Sequence, residues 1–235
     1  MITKIINVLC EGPTEDRFVA EVLKPHLMNL GIVTKHRLLM TSRKKNAYGG
    51  MISYSQAKGD LTKWMKEVYQ EKNVEHYFTT MFDFYALPND FPGFCDTKNI
   101  SDAYSKVNKI EESLAADIGW KNFIPYIQLH EFEALLFCDI RKLEKQYPRC
   151  KKDIQGLNDV LQSYNGNPEM INSGVDTAPS KRIISAIEGK RFYRYNKPSS
   201  GANVTAEIGI DNLKSKCRHF KMWLEKLEGL KDNDS

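Results

Sequence analysis

No stretch of this sequence reaches the roughly 18 uncharged apolar residues that a membrane-spanning helix needs, so no membrane partner is expected. Cysteine is scarce and poorly placed for cross-linking. Cys10, Cys95, Cys138, Cys150 and Cys217 are odd in number, widely spaced and form no CxxC pair. That favours neither a disulfide framework nor a zinc site; Cys10 and Cys138 lie in apolar runs and read as buried thiols. Walker A, GxGxxG and GxSxG signatures are missing, which removes support for nucleotide hydrolysis, dinucleotide binding and α/β-hydrolase chemistry. His130-Glu131-Phe132-Glu133 begins like HExxH, but Ala134 stands where the second histidine belongs, and a zinc protease is rejected. The opening Met1-Ile2-Thr3-Lys4-Ile5-Ile6 has no signal-peptide character, because its apolar run ends in acids; a cytoplasmic protein is the expectation.

With 41% hydrophobic and 27% charged residues, the 235-residue chain has the make-up of a soluble globular protein able to bury a substantial core. It contains no internal repeat. The first 140 residues alternate. Strands are predicted over 3–10, 32–40, 75–83 and 123–129, rich in Ile, Val, Phe, Tyr and Leu. Helices are predicted over 14–30, kinked or split by Pro25, over 56–71, and over 101–118, capped by Ser101 and stopped by Gly119. Such alternation predicts an α/β fold with a mainly parallel sheet and helices on both faces. Beyond residue 130 only helices are expected: 131–147, 152–164, 179–188 and a pair near 203–228. The stretches 165–180 and 196–202 read as loops. The domain reading is an α/β core over 1–140 and a C-terminal helical extension over 141–235.

Two acidic motifs carry the chemistry. Glu11-Gly12-Pro13-Thr14-Glu15 follows the apolar run Ile5–Cys10, and Asp83 follows Tyr77–Phe82. Two buried strands ending in carboxylates predict a hard-cation site over one sheet edge, where open α/β sheets place their ligands. Favourable placement at a helix N-terminus accounts for Glu15 and Asp16 but not for an acid at 11. Glu131 and Glu133, beyond a third strand end, are both candidates to complete the site; helical spacing points them in different directions, so one of the two is expected to do so. Lys181, at a helix start, is placed to neutralise charge on a phosphoryl oxygen. Arg43, Lys44 and Lys45 in one basic cluster, and Arg191, Arg194 and Lys197 in a second with interleaved aromatics, are candidates for contacting nucleic acid.

Glu11 after the first strand and Asp83 after a later one resemble the metal-binding pattern of the Toprim family, the topoisomerase–primase fold shared by some nucleases. The Glu11-Gly-Pro-Thr-Glu15 form is similar to OLD-type nucleases, where a second acid lies four residues on. The chain also resembles small bacterial Toprim-like proteins often encoded beside an ABC-type ATPase, through 91–93 (Phe-Pro-Gly), 130–137 (His-Glu-Phe-Glu-Ala-Leu-Leu-Phe), 178–181 (Ala-Pro-Ser-Lys) and 219–223 (His-Phe-x-x-Trp). That second likeness spans nearly the whole chain.

The resemblance implies a Toprim-like core and a metal-dependent nuclease using Mg2+ or Mn2+. It also implies a toxic effector in anti-phage defence restrained by an ATPase partner, and leaves a homodimer open. Glu11, Asp83 and one of Glu131 or Glu133 are then the cation ligands. Glu15 serves as a ligand-orienting group or general base, and Lys181 stabilises the transition state. Tyr85 departs from the pattern, standing where the family has its second aspartate. The alternative reading is a non-catalytic Toprim-like module that docks on an ATPase or nucleic acid. A primase-like polymerase ranks last, because no nucleotide-selecting motif is present.

Overall fold

The computed structural model describes residues 3–42, 47–48, 50–171, 174 and 176–231. Strand β1 (Thr3–Cys10) is buried from Ile5 onward on both faces, as a central parallel strand should be. Its flank β2 (Val33–Leu38) is the edge; a short antiparallel pair, β3 (Met40–Ser42) and β4 (Ala47–Tyr48), stands apart from the main sheet. On the other side β1 pairs in parallel with β5 (Val74–Asp83), and β5 pairs with β6 (Phe123–Ile124) and then β7 (Ile127–Gln128). The predicted strand 123–129 is thus two short pieces, separated at Pro125, which has no N–H to give a ladder. Register sets the site: Cys10 lies opposite Met81 and Asp83 opposite Gln128, so Glu11, Asp83 and residues 129–133 leave the sheet at one edge.

Helix α1 (Pro13–Phe18) continues through a π-helical turn (Val19–Leu23) into α2 (Lys24–Met28). Pro25 neither breaks nor ends the helix. The wide turn falls just before it, where its missing N–H leaves a normal i−4 carbonyl without a partner. α3 (Tyr54–Val68), capped by Ser53, buries Leu61, Trp64, Met65 and Val68. α4 (Ala103–Ile118) is capped by Asp102, not Ser101: the Asp102 carboxylate accepts from Ser105 N at 2.8 Å. Gly119, at φ 64°, ends it in the left-handed region. α3 and α4 pack with Leu9, Phe78 and Phe82 on one face of the sheet. The opposite face, with Ile6, Val8, Cys10 and Met81, is covered by α1, α2 and the later helices.

The predicted helix 131–147 is a 3₁₀ segment (Phe132–Lys145) broken at Asp139, where φ is −151° and ψ 80°. Then follow α5 (Lys151–Ser163), α6 (Pro179–Glu188), α7 (Lys197–Ile208), α8 (Ile210–Lys216) and α9 (Arg218–Glu228). The expected loop 196–202 is the start of α7, because Asn196 caps it, accepting from Ser199 N at 3.2 Å.

The His219–Trp223 stretch ties α9 to the sheet. His219 Nε2 pairs with Glu111 Oε1 at 2.9 Å, Trp223 Nε1 donates to Thr79 Oγ1 at 2.9 Å, and the indole stacks on Tyr126 at 4.2 Å. Buried Glu169 accepts the first N–H groups of α9, from His219 and Phe220, each at 3.0 Å. Among the described residues no helix is long and apolar enough to cross a membrane.

Candidate active site

Glu11 is the first residue past β1, and its carboxylate reaches across to the next strand: Asp83 N donates to Glu11 Oε2 at 2.9 Å. Backbone bonds from Glu11 N to Met81 O (3.1 Å) and from Gly50 N to Glu11 O (2.9 Å) hold the junction. Glu15, in the first turn of α1, is buried beside it. Gly12 leaves room for that carboxylate, since a Cβ there would stand 2.9 Å from Glu15 Oε2. Glu131 and Glu133 arrive from the third exit. His130 precedes them at φ 62°, left-handed backbone that a histidine adopts at a cost, and its carbonyl accepts Tyr85 N at 2.9 Å.

The two late glutamates are not equivalent. Glu131 is held by both the N–H and the hydroxyl of Ser180 at the start of α6, the latter at 3.0 Å. Among the described residues Glu133 has only the Lys197 ammonium as counter-charge, 3.4 Å from its Oε1; Lys197 lies 3.9 Å from Glu131 Oε2. Of the sequence candidates, the structure therefore gathers Glu11, Glu15, Asp83, Glu131, Glu133 and Lys197. Lys181 is exposed in the first turn of α6. Arg191 and Arg194 are exposed on the connection from α6 to α7, and Arg43, Lys44 and Lys45 lie outside the described residues. Sequence reasoning missed Ser180 as the Glu131 anchor and Lys197 as the cation of the cluster. The signal for Lys197 was available: Asn196 before it and Pro198 after it mark a helix start that delivers a first-turn side chain.

Crowding in a dry setting raises the proton affinity of Glu11, Glu15, Asp83 and Glu133. Burial raises Glu11, against backbone N–H bonds from Asp83 and Met51. Burial, with Glu133 and Glu11 adding, lifts Glu15 to about 8. Asp83 is pushed well above the carboxylate range by burial and then by Glu15, Glu11, Glu133 and Glu131. Burial lifts Glu133 to about 7, with Lys197 opposing. Burial works against the Lys197 charge, yet Glu133 and Glu131 raise it overall. Burial lowers His130 to about 4, which keeps it neutral.

Asp83 Oδ1, Glu133 Oε1 and the Tyr195 hydroxyl are sealed from solvent with no hydrogen-bond partner among the described residues. An unpaired oxygen inside a carboxylate cluster is costly unless a proton or a cation answers it. The donors are all hard oxygens, the chemistry that suits Mg2+ or Mn2+. Among the described residues, no three His, Cys, Asp or Glu side chains are already closed into a metal-holding group. A cavity of about 450 Å³ beside β2, lined by His36, Arg37 and Trp64 among others, includes none of these five carboxylates.

Fold and site together define an α/β protein whose parallel sheet collects mutually repelling carboxylates and Lys197 at its carboxyl edge. The chain belongs to the family described as Domain of unknown function (DUF4276), whose profile matches residues 10–228. No curated protein and no solved structure matches it.

Proposed function

We propose that this protein is a Toprim-like, metal-dependent nuclease hydrolysing phosphodiester bonds in the cytoplasm. The observation that carries the reading is the convergence of Glu11, Glu15, Asp83 and Glu133 with Lys197 at one sheet edge. Glu11, Asp83 and Glu133 are the residues to hold Mg2+ or Mn2+, Glu133 being preferred to Glu131 because Ser180 already occupies the latter. Held by these carboxylates, a divalent ion would supply an activated water and offset charge on the scissile phosphate. Glu15, buried in the first turn of α1 beside these ligands, is the residue to accept the proton of that water. Lys197 takes the role that the sequence assigned to Lys181, placing an ammonium where charge develops on the phosphoryl oxygens. Arg191 and Arg194, exposed just ahead of Lys197, guide the nucleic-acid backbone to it.

The likeness to ATPase-linked bacterial proteins supports an effector role in anti-phage defence under an ABC-type ATPase. A non-catalytic docking module is the second reading, favoured by Tyr85 at the second-aspartate position and by the engagement of Glu131 with Ser180. Cleavage of plasmid, single-stranded DNA and tRNA, with Mg2+, Mn2+ or chelator, separates the two. Metal-dependent cleavage that falls about a hundredfold or more in Asp83→Asn and Glu11→Gln is expected. Cleavage indifferent to both substitutions would overturn the nuclease assignment.

A further inference from the structure

Among the described residues three large aromatic side chains stand exposed: Tyr69 at 76%, Tyr85 at 50% and Phe192 at 52%. Tyr69 ends α3 just before β5 begins and so belongs to the opposite, amino edge of the sheet. Of the other two, Tyr85 follows the site carboxylate Asp83, and Phe192 lies on the connection that leads into Lys197. Tyr85 is two residues past Asp83. Phe84 turns inward against Phe94, with ring centroids 6.3 Å apart, while the Tyr85 backbone is pinned to His130 O; its ring is presented outward from a fixed main chain.

Phe192 is three residues before Tyr195, whose hydroxyl is buried, and five before Lys197, which pairs with Glu133. Its loop is held at both ends, by Arg191 N on Glu188 O (2.8 Å) and Tyr195 N on Glu188 Oε1 (2.9 Å). The Arg149 guanidinium lies over the Phe192 ring at 5.4 Å. Exposing a large aromatic to water is unfavourable, and pinning it removes the entropy cost of later contact. Aromatic faces alternating with arginines are what unpaired bases and their phosphates require, and paired bases inside a duplex do not offer their faces.

Resting on the nuclease reading for the location of the scissile bond, we infer that the substrate is single-stranded nucleic acid whose bases stack on Tyr85 and Phe192. The sugar, DNA or RNA, is the one chemistry these faces do not select. The test is binding without catalysis. Fluorescence anisotropy in chelator compares a labelled single strand, as DNA and as RNA, with the duplex of the same sequence. Single strands bind at least about tenfold tighter than duplex; Tyr85→Ala and Phe192→Ala each weaken them about tenfold, and Tyr85→Phe does not. Both alanine variants keep the wild-type slope of affinity against salt, whereas Arg194→Ala lowers it by about one. Duplex bound as tightly as single strand, or alanine variants that bind like wild type, would overturn the inference. Because no cleavage is read, duplex-preferring binding would sink this inference alone, and loss of the nuclease assignment would leave stacking intact.

Discussion

Lys197 is the residue on which stability and chemistry separate. Its ammonium is 3.4 Å from Glu133 Oε1, but its side chain is 41% exposed while that of Glu133 is 3% exposed. An ion pair with one wet partner contributes at most about 1 kcal/mol to folding. Against a phosphate seated over the same carboxylates, which excludes that water, one positioned cation is worth about a hundredfold or more in rate. Lys197→Met therefore leaves urea-induced unfolding within about 1 kcal/mol of wild type and cuts single-turnover cleavage about a hundredfold. The reverse pattern, lost stability with cleavage retained, would make the lysine structural. Both quantities come from one preparation. The acids were legible because strand ends announce themselves in sequence; the lysine was harder to place, because Lys197-Pro-Ser-Ser-Gly has a loop's composition and only Asn196 and Pro198 mark the helix start.

Elements hold those residues in place, and α7 is the one that brings Lys197 in. It crosses close to α1 and the 3₁₀ segment at Gly201, where an added Cβ would meet Thr14 Cγ2 at 2.7 Å and Phe132 Cε1 at 3.0 Å. Alanine gains about 0.5–1 kcal/mol in helix propensity, but overpacking costs about 1–3 kcal/mol, so the clash wins. Gly201→Ala lowers the melting temperature, and cleavage falls with it because Thr14 neighbours Glu15 and Phe132 neighbours Glu131 and Glu133. A higher melting temperature would show that the helices part without strain. This close approach was hidden from the sequence, since a glycine among serines reads as flexibility. The parallel sheet with helices on both faces was readable from the alternation of apolar runs and amphipathic stripes. What escaped was the conformation of Phe132–Lys145: Phe132 to Cys138 are buried without exception, so no hydrophobic stripe reports the helix period.

Across the whole molecule, the proposed metal site would make folding depend on protons and on divalent cations together. Glu15 titrates near 8 and Glu133 near 7 in the fold, against 4.5 when unfolded. Between those values the folded chain binds more protons than the unfolded one, so stability falls as pH rises. Their contribution is whole below 4.5 and gone above about 8. His130 runs the other way, folded near 4 against 6.5, adding stability as pH climbs through that lower window. The clear interval is therefore from 6.5 to about 8, where the histidine no longer changes and the carboxylates still do. In chelator the melting temperature drops across that interval, and Glu15→Gln flattens the drop. Saturating Mg2+ or Mn2+ reverses it, because a cation binds the deprotonated cluster and stabilises the fold by mass action as protons leave. A pH profile identical with and without cation, and in Glu15→Gln, would mean that these acids neither share protons nor hold a metal. The nuclease mechanism would then fail without a substrate ever being tested.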